Sequence, residues 1–205
     1  KQYDYVGLKT FIKQRNIMDF NLLFNVFPKK IYPFDYQTYF NSPERFIMVT
    51  SNCLTGEAVY LEEKQDEKRV LDICVATCSL PLLCPIAYVD GIPMVDGGVC
   101  DALPIRKSEA DGNSRNVIVL TRNKGYRKPV KQQKLPGFVF RKYPELRREL
   151  MLRYQRYNET IEYIEQLEAE GRALVIRPIR DIVVDRIERD VDKLASLYEE
   201  GYACA

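Results

Sequence analysis

The 205-residue sequence contains no histidine. This excludes a Ser-His-Asp triad, a Cys-His pair and any histidine-ligated metal within these residues. Proton-transfer chemistry would have to fall to a carboxylate, a lysine, a tyrosine or a terminal amine. Pairs of the Cys-x-x-Cys type are also missing. The six cysteines, Cys53, Cys74, Cys78, Cys84, Cys100 and Cys204, therefore do not read as a structural zinc site. Their neighbours are apolar (Ile73, Val75, Leu83, Pro85, Val99), which fits buried free thiols in a reducing compartment better than a redox role. Long hydrophobic runs are absent too. The longest, Cys74–Thr77 and Leu80–Val89, are broken by polar residues or prolines and fall far short of the roughly 20 apolar residues of a membrane span. There is no basic-then-apolar leader, no internal repeat and no low-complexity tract. The chain opens on Lys1-Gln2-Tyr3-Asp4 without a methionine and reads as cut at that end.

What is present suits a folded protein of one domain or one and a half: 46% hydrophobic and 29% charged residues can build a real core. The net charge of +2 excludes little. Apolar spacings of three and four predict short helices over Gly7–Arg15 and Asp19–Phe27, the second capped by Asp19 and closed by Pro28. Arg45–Asn52 and Gly56–Leu61 read as paired strands around Cys53–Gly56. Asp66 caps a helix to Ser79, with Val70, Ile73, Cys74 and Thr77 on one face. Asp90-Gly91 joins Ile86–Val89 to Ile92–Val95 as a type I′ hairpin. Pro104 opens a short helix and Gly112 ends it. Asn116–Thr121 is a nearly continuous β-branched run, as in buried parallel strands. A long helix spans Tyr143–Glu170, with Leu146, Leu150, Tyr154, Tyr157, Ile161, Ile164 and Leu167 as its stripe. Ala173–Arg177 is a late strand, and Asp185–Glu200 a final helix before Gly201. This mixture predicts an α/β layered domain with rather few strands.

The best candidate for chemistry is Asp96, at a strand end and followed by Gly97 and Gly98. A carboxylate there either aims a base at a site or caps its own turn. On composition alone the turn-capping role is favoured; a family resemblance shifts the weight to the first. Ala76-Thr77-Cys78-Ser79-Leu80-Pro81-Leu82-Leu83-Cys84-Pro85, then Tyr88-Val89-Asp90-Gly91, then Val95-Asp96-Gly97-Gly98-Val99-Cys100-Asp101-Ala102-Leu103-Pro104-Ile105 resembles the patatin-like phospholipase family from about Tyr32 to Leu120. Further on, Gly125–Pro129, Arg156–Asn158 and Val175–Pro178 are similar to its bacterial subgroup with a helical C-terminal extension.

The resemblance implies a layered α/β/α sandwich, here lacking its N-terminal strands and nucleophile helix. Residues 1–125 would be the C-terminal portion of the hydrolase domain, and 126–205 a helical extension packed on it. It implies a serine acyl hydrolase acting on lipid ester bonds through a Ser–Asp dyad, with Asp96 as general base and Gly97 and Gly98 as its turn. No cofactor and no metal are implied. The family's Gly-x-Ser-x-Gly elbow and glycine-rich oxyanion loop are not among these residues: Ser42, Ser51, Ser79, Ser108, Ser114 and Ser196 lie outside any such motif. The chain by itself is therefore expected to be inactive, and to expose a sheet edge and an apolar face through which it oligomerises. Asp101 stands where the family often has asparagine. The other reading is a non-catalytic module of the same fold that binds anionic lipid or a protein partner.

Arg122–Arg156 is strongly basic, with only Glu145 and Glu149 opposing twelve cations and with Tyr126, Phe138, Phe140 and Tyr143 interleaved. It is either a solvated face or a docking surface for an anionic membrane. Nucleic acid fits the composition, but no nucleic acid is expected of a lipid hydrolase. Location in the cytoplasm with peripheral membrane contact is expected.

Overall fold

The computed structural model describes residues 7, 15–129, 135–136, 138–182, 184 and 188–204. It divides into two compact units, Lys1–Ala102 with Gln132–Arg153, and Leu103–Lys131 with Tyr154–Ala205.

In the first unit, helix α1 (Leu22–Ile31) has the wider π winding. Asp19 caps its entry by accepting from Leu22 N at 3.0 Å. The helix does not stop at Pro28, as its sequence suggests, but carries it inside. A proline has no N–H to offer an i−4 carbonyl, and the wider turn is one way to pass it. The helix expected over Gly7–Arg15 falls almost wholly outside the described residues. Helix α2 (Tyr36–Asn41) is capped by Asp35, which accepts from Thr38 N at 3.0 Å.

Strands β1 (Met48–Asn52), β2 (Ala58–Leu61), β3 (Ala87–Val89) and β4 (Ile92–Asp96) form one antiparallel sheet in the order β2-β1-β4-β3. The β3–β4 turn has both central residues in the left-handed region, Asp90 at φ 53° and Gly91 at φ 78°, as a type I′ turn requires. Helix α3 (Glu67–Thr77) starts at Asp66, which accepts from Lys68 N at 2.8 Å. It lays Ile73 and Ala76 against Met48, Val89 and Met94 of the sheet. A second cluster joins Cys53, Val95, Val99 and Cys100 to Leu146 and Leu150, from the beginning of helix α5 (Pro144–Ala169). These two clusters bracket the end of β4.

In the second unit, helix α4 (Ile105–Ala110) follows Pro104, and β5 (Asn116–Val119) pairs in parallel with β6 (Ala173–Ile176). Ile105, Ile164, Leu167 and Ala173 make the core of this unit. The β-branched run of β5 was expected to be buried on both faces. Neither face is fully buried: Ile118 is half-buried against the core of the unit, whereas Val117 and Val119 are 66% and 68% exposed. Strand alternation sends odd and even residues to opposite faces, and the odd face is left open. Helix α6 (Val191–Cys204) runs through Gly201 instead of ending before it.

Candidate active site around Asp96

Strand β4 carries Asp96 opposite Thr50 of β1. Its backbone is tied on both sides. Asp96 N donates to Ser79 O at 3.0 Å, and Asp96 O accepts from Ser51 Oγ at 2.9 Å. The chain then turns sharply through a 3₁₀ segment, Gly97–Val99. Within it Gly98 N donates to Asp96 Oδ1 at 2.7 Å, and Gly97 O accepts from Cys100 N and Asp101 N at 3.1 and 2.9 Å.

Space explains both glycines. A Cβ on Gly97 would stand 2.3 Å from Val49 O and 2.6 Å from Val49 C, so nothing larger fits against β1. A Cβ on Gly98 would stand 2.8 Å from Asp96 Oδ1 itself. The first glycine lets the turn pack on the sheet, and the second leaves room for the carboxylate. Asp96 also serves its own turn, so the bland role seen from sequence is real. It uses one oxygen, Oδ1, for the Gly98 bond.

The serines beside Asp96 are structural. Ser51 and Ser79 are both fully buried. Ser51 Oγ donates to the Asp96 carbonyl, and Ser79 Oγ donates to Val75 O at 2.8 Å. Their protons are committed to carbonyls, so neither is poised as a nucleophile. Asp101 accepts from Tyr60 OH at 2.6 Å; burial, and after it this bond, raises the phenol well above its ordinary value.

The thiols are quiet. Cys53 is pushed up to about 12, mainly by burial. Cys78 and Cys84 are also raised, first by burial and further by the nearby Asp96 charge. Thiols held protonated at neutral pH are poor nucleophiles; of the six cysteines Cys53 and Cys100 are buried as expected, whereas Cys74, Cys78, Cys84 and Cys204 are half-buried. Among the described residues no cluster of three or more cysteine, aspartate or glutamate side chains could hold a metal ion.

One residue of the site escaped the sequence reading. Arg153 was visible only as part of the basic stretch. In the structure its Nε donates to Gly98 O at 2.7 Å. The available signal was its spacing, since Leu146, Leu150 and Arg153 stand at i, i+4 and i+7 on one helix face.

The rest of the basic stretch is partly consumed internally. Arg127 pairs with Glu165 at 2.6 Å, Lys128 Nζ lies 3.7 Å from the centre of the Tyr157 ring, and Arg147 Nη2 donates to Leu135 O at 2.7 Å. Arg148 pairs with Glu145 at 3.0 Å and Glu149 at 3.4 Å. Arg141 and Lys142 stay exposed next to Phe138, which is 79% exposed. A cleft of about 770 Å³ between α1 and α3, floored by Phe20, Phe24, Leu71 and Val75, lies apart from the Asp96 carboxylate.

The elements and this turn define a mixed α/β protein with an aspartate held at a strand end. Residues 2–107 match the family model of the patatin-like phospholipases, and residues 143–205 match a domain of unknown function (DUF6363). The chain belongs to the patatin-like phospholipase family, a family of lipid acyl hydrolases. No curated protein matches it.

Proposed function

We propose that this chain carries the base of a Ser–Asp dyad, with Asp96 serving a serine that lies outside these 205 residues. The observation that carries the reading is the Asp96-Gly97-Gly98 turn. The carboxylate is fastened through Oδ1 to Gly98 N, on a backbone tied to Ser79 and Ser51. In the reaction the carboxylate takes the serine hydroxyl proton as the oxygen attacks the ester carbonyl. It then returns that proton to the leaving alcohol as the acyl-enzyme forms, and activates water in the second half. The missing histidine is consistent with a dyad, which needs none.

The substrates are lipid esters, and the exposed trio Phe138, Arg141 and Lys142 fits peripheral contact with an anionic membrane on the cytoplasmic side. The two family matches fall on either side of residue 125, which supports a hydrolase portion in 1–125 and a helical extension in 126–205.

The test is hydrolysis of a medium-chain p-nitrophenyl ester by the complete gene product containing these residues. Asp96→Asn should lower kcat by about 100-fold or more. The 205-residue chain alone should be inactive. An Asp96→Asn enzyme as fast as wild type would remove Asp96 as the base, and no turnover by the wild-type product would move the function to a non-catalytic module that binds anionic lipid or a protein.

A further inference from the structure

We propose that Arg153 is a positioning residue for the Asp96 base, acting through the Gly98 carbonyl. The inference rests on the reading of Asp96 as that base. Gly98 is held from two directions. Its N–H is bonded to Asp96 Oδ1 at 2.7 Å, and its C=O accepts from Arg153 Nε at 2.7 Å. The point where a Gly98 Cβ would stand lies 2.8 Å from Asp96 Oδ1 and 3.5 Å from Arg153 Nη2. The glycine is thus the spacer between a carboxylate and a guanidinium: a Cβ there would displace the carboxylate and lie in contact with the guanidinium.

Arg153 is itself well placed to hold this turn. The two preceding turns of α5 are anchored by Leu146 and Leu150, which are 0% and 8% exposed and pack with Val95, Val99 and Cys100. Those three residues flank the Asp-Gly-Gly turn on both sides in sequence. The same apolar cluster therefore fixes the turn and the helix that delivers the arginine. Arg153 reaches the turn through its Nε, which donates to Gly98 O. A guanidinium donating to a neutral carbonyl makes a charge-assisted bond stronger than a neutral pair. Arg153 lies in the stretch that matches the domain of unknown function, so that segment supplies part of the catalytic turn's support.

The experiment uses the complete gene product, with active serines counted by fluorophosphonate titration, so that kcat is expressed per competent site. Arg153→Met keeps the stem but loses the donor, and Arg153→Lys keeps a donor and the charge. Arg153→Met should lower kcat per titrated site about 10- to 100-fold, the scale of a slightly misaimed base, with KM for the neutral ester unchanged. Arg153→Lys should recover much of the loss. The surface-charge control Arg115→Met, at an exposed arginine away from the turn, should match wild type. A packing role would reduce the fraction of titratable enzyme and leave kcat per site untouched, and that result overturns the proposal. Should Arg153→Met fail to fold, Arg153→Gln against Arg153→Lys carries the same comparison. If Asp96→Asn abolishes turnover while the Arg153 variants do not alter it, this inference alone fails. If Asp96→Asn is silent, the base assignment fails first.

Discussion

Two adjacent glycines meet different obstacles, and this separates their roles at the scale of single residues. Gly97 faces the backbone of Val49, which cannot yield, whereas Gly98 faces the end of a side chain. Gly97→Ala should therefore destabilise the fold, by about 1–3 kcal/mol if it follows other overpacked sites. Gly98→Ala should cost activity more than stability, because the group pushed aside is the Asp96 carboxylate. Urea midpoints and turnover measured together check the pair; equal losses of both kinds at the two positions would contradict the distinction. The cysteines make a second test. With Cys53 raised to about 12, its alkylation by iodoacetamide at pH 8 in the native protein should be at least 100-fold slower than in urea.

The Asp-Gly-Gly turn and its strand were legible from the sequence because glycine, proline and Asp-Gly pairs punctuate the chain locally. The type I′ hairpin at Asp90-Gly91 and the cap at Asp66 are both found in the structure. What was not legible depended on residues far apart in the chain. Nothing local in Thr50-Ser51 announces a hydroxyl that braces a carbonyl 45 positions later. Arg153, 55 positions from Gly98, looked like one cation among many.

At the scale of elements, helix α5 is the best place to test packing. Leu146 is fully buried against the cluster that supports β4, so Leu146→Ala should cost roughly 2–5 kcal/mol by urea unfolding. A loss under 1 kcal/mol would mean that the helix contributes little to this core. The second unit offers a pH test. The Arg127 guanidinium beside Glu165 holds its carboxyl below the ordinary value of 4.5. A lowered folded value means that the pair's contribution is present above about 4.5 and is lost as the pH falls through the lowered value. The pair is partly exposed and contributes at most about 1 kcal/mol. The melting-temperature gap between wild type and Glu165→Gln should therefore be small at pH 6 and close towards pH 3. The β-branched pattern of β5 correctly signalled a parallel partner, but the pattern cannot say how many faces a neighbour covers. Here Val117 and Val119, with Leu174 at 62% exposure across the pair, form an apolar face open to solvent.

That face matters for the molecule as a whole. Parallel sheets are ordinarily covered on both sides, and two strands are too few to be stable alone. The 205-residue chain should accordingly self-associate through this face, and Val117→Thr with Val119→Thr should shift it towards monomer in sedimentation velocity. An unchanged distribution would place the association elsewhere. Membership of the patatin-like family suggests lipid acyl hydrolysis as the reaction class, and the proposal that Asp96 is the base would tie that class to a residue of this chain. The most direct measurement is fluorophosphonate labelling of the complete gene product, wild type and Asp96→Asn, with the labelled peptide mapped by mass spectrometry. The account predicts a label on a serine outside these 205 residues, slowed at least 100-fold in the Asp96→Asn protein. A label indifferent to Asp96, or one found on Ser51 or Ser79, would contradict it.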